Sequence, residues 1–200
     1  MSDVACNFVL LSTFNAKHDI QWSFKYSLCG DVNSSGGFTT FLIDGDVLSG
    51  GGIRSGLGLG PYDVRVGVSA LFAGVGFDAT SQFATLSNGF NTGSPTPSAN
   101  CCTLRVGQQF TYIASSPLDW TLISPNVEFK TLRFTLTDLG QSLVVDVLNQ
   151  GVYQQVARFN TGTLIIDDRM MSVGVSFASP VTGASRTDFQ IQDFHYQGLH

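Results

Sequence analysis

The segment Leu132-Arg133-Phe134-Thr135-Leu136 alternates apolar and polar residues without a break. Successive side chains of an extended strand point to opposite faces, so a period of two gives one apolar and one polar face. The rhythm returns in Val173-Gly174-Val175-Ser176-Phe177, and in Val64, Val66 and Val68 set between Arg65, Gly67 and Ser69. It also runs through most of Phe189-Gln190-Ile191-Gln192-Asp193-Phe194-His195-Tyr196. Leu143-Val144-Val145-Asp146-Val147 is denser, as expected of a strand covered on both sides. Turn-forming clusters separate such segments: Asp44-Gly45-Asp46, Asp138-Leu139-Gly140-Gln141, Asn149-Gln150-Gly151 and Asn160-Thr161-Gly162. Leu132–Leu136 and Leu143–Val147, joined across the Asp138–Gly140 turn, predict a hairpin. No stretch carries a long helical stripe, and one helical turn is expected over Asp119–Ser124. Strands about every ten residues without intervening helices predict an all-β, antiparallel β-sandwich, built as a single domain over residues 1–200.

A chain of 200 residues is long enough to bury roughly 70% of its unfolded surface. Charged residues make up 12% and hydrophobic ones 43%, with 22 Gly and 16 Phe. That balance suits short strands and tight turns and excludes a solvated, disordered chain. The net charge of −5, with no block of Lys or Arg, excludes the electrostatic footprint of a nucleic-acid or anionic-membrane binder. No apolar run reaches the roughly 18 residues of a membrane span, so no membrane insertion is expected. The opening MSDVACNFVLLSTFN has no basic n-region and too short an apolar segment for a signal peptide, which points to synthesis and folding in a cytosol. Cys6, Cys29, Cys101 and Cys102 lack the spacing of a disulfide framework. A Cys6–Cys29 bridge is open to them, and free buried thiols are the expectation.

Catalytic constellations are missing from the sequence. A glycoside hydrolase needs two carboxylates roughly 5–9.5 Å apart. Here fourteen of the fifteen acids are Asp, and Glu128 sits beside Lys130 with no acidic partner near it in sequence. Asp167 and Asp168 would face opposite sides of a strand, and Asp44 and Asp46 fall in a turn, where they bond their own backbone. No Gly-x-Ser-x-Gly is present, and His18, His195 and His200 are scattered without zinc spacing. Gly50-Gly51-Gly52 and Gly56-Leu57-Gly58-Leu59-Gly60 lack the following Lys and helix of a phosphate cradle. They lie in a long loop, Leu48–Pro61; a second runs from Ser87 to Asn100. Loops of this length commonly line binding sites. Trp22, Trp120, Tyr62, Tyr112, Tyr153 and Tyr196 offer flat faces for sugar stacking. Alternation through Ile20–Tyr26 assigns Trp22 to the core, leaving Tyr62 and Phe90 as the better contact residues.

Several stretches, in order along most of the chain, resemble the legume-lectin-like (L-type, concanavalin A-like) jelly roll. Ser35-Gly36-Gly37-Phe38-Thr39-Thr40-Phe41-Leu42-Ile43 is similar to the family strand Ala-Asp-Gly-apolar-Ala-Phe-apolar-Leu. Gly52–Leu59 resembles the glycine loop closing one side of the family's sugar pocket, and Val75-Gly76-Phe77-Asp78 the strand Val-Glu-Phe-Asp-Thr. The Leu132–Val147 hairpin, Val173–Ser179 and the closing Phe189–Tyr196 complete the set. The resemblance implies a jelly-roll sandwich of the lectin/glucanase type. With the glycine loop on one side and the Ser87–Asn100 loop on the other, the candidate glycan contacts are Gly56, Leu57, Gly58, Tyr62, Asn88, Phe90 and Asn91. The family's pocket aspartate would fall at Gly36 and its metal-holding glutamate at Gly76. Asp78 matches the calcium-bridging aspartate, so it is the one metal candidate, and one carboxylate makes a weak calcium site.

The expectation from sequence is therefore a non-catalytic lectin-like module with no cofactor beyond a weak calcium site. Its expected setting is the surface, fibre or decoration of a phage or other virus particle, made in the host cytoplasm. Other virion subunits and host surface glycans would be its partners, in an oligomer or larger assembly. The alternative is a free, extracellular carbohydrate-binding lectin.

Overall fold

The computed structural model describes residues 4–9, 14–15, 19–31, 36–44, 71–85, 98–107, 109–138, 140–161, 170–179 and 187–199. Among these, strands β1 (Val4–Val9), β2 (Phe14–Asn15), β3 (Asp19–Gly30), β4 (Gly37–Asp44) and β5 (Leu71–Asp78) precede a single helical turn, α1 (Gln82–Thr85). Strands β6 (Cys101–Val106), β7 (Thr111–Pro117), β8 (Lys130–Thr137), β9 (Ser142–Asn149), β10 (Val152–Asn160), β11 (Met170–Ser179) and β12 (Thr187–Leu199) follow. A seven-stranded sheet runs β1-β11-β4-β5-β6-β7, with β2 also on β11; a five-stranded sheet runs β10-β9-β8-β3-β12. Every named pairing is antiparallel.

The expected hairpin is β8–β9, with Leu132 opposite Val147 and Leu136 opposite Leu143. In β9 the apolar run divides between two environments: Leu143, Val145 and Val147 enter the core, while Val144 is only half-buried. Asp146, on the same outward face as Val144, is covered because both Arg133 Nε (3.0 Å) and Nη2 (2.8 Å) donate to its Oδ2. Gln150 and Gly151, both at positive φ, make the two-residue turn into β10. In β12 alternation breaks at a bulge between Gln192 and His195, where Asp193 sits at φ 50° and pairs with Lys25 at 2.6 Å.

The expected helical turn over Asp119–Ser124 does not form. Ser124 instead donates its N–H to Leu28 O and accepts from Gly30 N–H, each at 2.9 Å, which fixes it beside the end of β3. A backbone bonded in this way cannot also close helical bonds. Leu122 and Ile123 gain burial in the core from this extended path. The helical turn occurs at Gln82–Thr85.

Between the sheets lies one apolar cluster fed by alternate positions of both. Ile20, Trp22, Phe24 and Tyr26 of β3 meet Phe38 and Leu42 of β4 and Val75 and Phe77 of β5. Phe38 stacks on Phe77 at 4.7 Å between centroids, and Phe77 meets Phe134 of the opposite sheet edge-on at 6.0 Å. Trp22, as expected, is core: its Nε1–H donates to Thr40 Oγ1 at 2.9 Å, and that hydroxyl donates to Gly174 O at 3.1 Å. The indole thus buries its area and still satisfies its polar edge, tying the two sheets together. Cys29, Cys101 and Cys102 are free thiols, so Cys29 forms no bridge to Cys6.

Candidate functional site

The end of β5 carries Asp78, with Gly37 of β4 on one side and Cys101 of β6 on the other. Strand alternation sends Ala73, Val75 and Phe77 into the inter-sheet core. It turns Gly74, Gly76 and Asp78 to the other face of the seven-stranded sheet. That face is buried too. Phe41, Ile43, Leu71, Phe83 and Phe110 form a second apolar cluster there, apart from the main core.

Phe83, in α1, organises this cluster. A Cβ placed on Gly76 would lie 2.4 Å from both Cδ1 and Cε1 of the Phe83 ring and 2.9 Å from its Cγ. The ring therefore occupies the space a side chain at 76 would enter. It meets Phe110 edge-on at 5.3 Å and is fully buried.

Asp78 is held by the same turn. Its Oδ1 accepts the Thr80 N–H at 2.9 Å and the Thr80 hydroxyl at 3.3 Å; its Oδ2 accepts the Phe83 N–H. These bonds satisfy donors that the start of a helical turn leaves without partners. Burial pushes the Asp78 carboxyl above its ordinary value, opposed by the N–H bonds from Thr80 and Phe83.

Arg105 completes the arrangement from β6, where it lies opposite Gly74. Although charged, it is only 1% exposed. Its Nε donates to Phe83 O at 3.0 Å, Nη1 to Phe110 O at 2.9 Å, and Nη2 to Ala84 O at 3.2 Å. Its Cζ lies 5.6, 5.0 and 5.9 Å from the ring centroids of Phe83, Phe110 and Tyr112. Burying a cation costs several kcal/mol unless hydrogen bonds compensate. Charge-assisted bonds to carbonyls and contact with aromatic rings supply that compensation. Burial lowers the guanidinium to about 10, still well above neutral pH, so the charge is kept.

The expected glycan contacts Gly56, Leu57, Gly58, Tyr62, Asn88, Phe90 and Asn91 lie outside the described residues, as do Val64–Val68, Asp46, Asp167, Asp168, His18 and His200. The other aromatics proposed for stacking are dispersed. Trp120 donates to Tyr26 Oη at 3.0 Å and lies under Lys130, whose Nζ is 5.7 Å from its centroid. Tyr153 lies 3.8 Å from Arg133 Cζ on β10, Tyr112 sits near Arg105, and Tyr196 is 41% exposed on β12. Cys101, opposite Asp78, and Cys102 are buried on β6; burial pushes their thiols up to about 11 and about 12, which disfavours the thiolate. Sequence reasoning passed over Arg105, Phe83 and Phe110. The available signal was an arginine inside Cys-Cys-Thr-Leu-Arg-Val with no acidic residue beside it.

A calcium ion takes 6–8 oxygens, several of them carboxylates. Among the described residues no group of three or more His, Cys, Asp or Glu side chains comes together. Both Asp78 oxygens already accept protein donors, Gly76 supplies no carboxylate, and Phe83 fills the space beside it. Three nearby carbonyls are taken by a guanidinium. The described residues therefore do not fit the metal that Asp78 was expected to share. Gly36, where the family's pocket aspartate would fall, sits at φ 139°, a conformation strained for any residue with a side chain.

No protein-family model matches the sequence, and no curated protein matches it. Solved structures do. Lectin II from Ulex europaeus superposes with a TM-score of 0.68 at 16% identity, over 98% of this chain and 82% of that one. Winged bean acidic lectin, in complex with methyl-α-D-galactose, gives 0.66 at 13% identity, over 96% and 78%. A legume lectin-like domain from Entamoeba histolytica gives 0.60 at 10% identity, over 99% and 80%. With its two antiparallel sheets, the chain has the jelly-roll β-sandwich fold of the legume lectins.

Proposed function

We propose that this chain is a non-catalytic glycan-binding module. The observation that carries the reading is the superposition of nearly the whole chain on lectins, one of them solved with a galactoside. The carboxylates support the non-catalytic part. Asp78 is bonded to its turn, Asp146 to Arg133 and Asp193 to Lys25, so each of the three already serves a structural partner. Sugar contacts are assigned to Gly56, Leu57, Gly58, Tyr62, Asn88, Phe90 and Asn91. Tyr62 and Phe90 supply stacking faces and the asparagines hydrogen bonds. On the sequence alone, we further propose that the module is displayed on a phage or other virus particle as an adhesion or structural subunit.

A glycan array probed with the full chain tests the first proposal. Wild type is expected to bind at least one glycan class, and Tyr62→Ala with Phe90→Ala to lose that signal while retaining the wild-type melting temperature. Absence of binding to every glycan by a folded chain would remove the reading.

A further inference from the structure

Three backbone carbonyl oxygens, from Phe83, Ala84 and Phe110, converge on one cationic group. Carbonyl oxygens gathered in this way suit a hard cation. Here the cation is covalently part of the chain. We infer that Arg105 is a built-in clamp, fastening α1 and the Phe110 turn to the sheet as a bound divalent cation would, and making this end of the sandwich independent of metal.

Phe83 is gripped at three points. Its N–H bonds Asp78, its C=O bonds Arg105, and its ring fills the gap over Gly76. A single helical turn has too few internal bonds to hold itself. Among the described residues the Thr85 N–H and hydroxyl both donate to Ser81 O, at 3.0 and 3.1 Å, and Asp78 and Arg105 take polar groups at the two ends of the turn. Carboxylate on the N–H side and guanidinium on the C=O side also match the direction of the peptide dipoles. Geometry makes the guanidinium specific. A planar fork reaches three acceptors in three directions and lies against flat rings, which an ammonium cannot do equally well. The clamp concerns how this end of the fold is held, so it stands or falls apart from which ligand the module takes.

Amide hydrogen exchange on the full chain tests it, with calcium plus manganese chloride in one arm and EDTA in the other. In wild type, exchange at Phe83–Thr85 and Phe110 is expected to be the same in both arms. Arg105→Met is expected to raise it there by roughly tenfold to a hundredfold, the range for losing bonds to a charged donor. The β8–β9 amides, Leu132–Leu136 and Leu143–Val147, keep their protection. Arg105→Lys should restore protection only in part. Slower exchange at Phe83–Thr85 with metal, or faster exchange with EDTA, overturns the inference in wild type alone, even if Arg105→Met fails to fold. So does wild-type protection in a folded Arg105→Met.

Discussion

Gly76→Ala places one methyl group against the Phe83 ring and tests whether the ring is locked. The new Cβ would begin 2.4 Å from two ring carbons, whereas carbon atoms pack best at about 3.5–4.0 Å. Relief requires a shift of about an ångström. The ring has little freedom to give it, because it abuts Phe110 and Arg105 and its own backbone is bonded on both sides. Overpacking of this kind costs about 1–3 kcal/mol. Replacing glycine by alanine stiffens the unfolded chain and returns roughly 0.5–1 kcal/mol. The expected net loss therefore lies between about 0 and 2.5 kcal/mol, or up to about 10 °C in melting temperature for a chain of this size. Phe83→Ala alone should cost about 3–5 kcal/mol as a cavity. In the double variant the clash has lost its partner, so the two effects should fall short of their sum by about 1–3 kcal/mol. Urea unfolding followed by tryptophan fluorescence measures all four corners of the cycle. A Gly76→Ala that stabilises the chain, or strict additivity, would refute the placement of the ring.

Asp78 gives a pH signature. Its folded carboxyl is raised above the ordinary 3.8, chiefly by burial, so the folded chain holds this proton more tightly than the unfolded chain does. Its contribution to stability is therefore full below 3.8 and falls as pH rises through the folded value. Relative to the non-titrating Asp78→Asn, wild type should lose stability across that interval in urea melts run at stepped pH; a gap that moves in wild type's favour would contradict this. On the other sheet, Asp146→Ala removes the acceptor of two Arg133 bonds and should cost about 1–2 kcal/mol by the same assay. A loss below about 0.5 kcal/mol would show the pair to be no stronger than an ordinary surface ion pair.

The β8–β9 hairpin was legible because both its strands and its turn are local signals: alternation on each side of Asp138–Gly140. Trp22 was legible for the same reason, sharing a face with Ile20, Phe24 and Tyr26. The helical turn was not. Gln82–Thr85 is held by Asp78 at one end and by Arg105, twenty residues beyond Thr85, at the other. Asp119–Ser124 is drawn out straight by bonds to Leu28 and Gly30. Neither set of partners lies within the window that a periodicity argument examines.

Taken alone, the sequence determined which residues share a face, since the strand repeat of two is a property of the backbone, and it supplied the ordered likeness that pointed to the jelly roll. Which faces are covered, and by what, only the tertiary structure decided. Gly76 in sequence is a missing glutamate; in the fold it is the floor beneath the Phe83 ring. Arg105 in sequence is an isolated charge in an apolar strand; in the fold it is nearly inaccessible, with three carbonyls and three rings around it. A buried charge is tolerable only where its acceptors are delivered to it. Here they come from segments on both sides of β6, and folding alone brings them together.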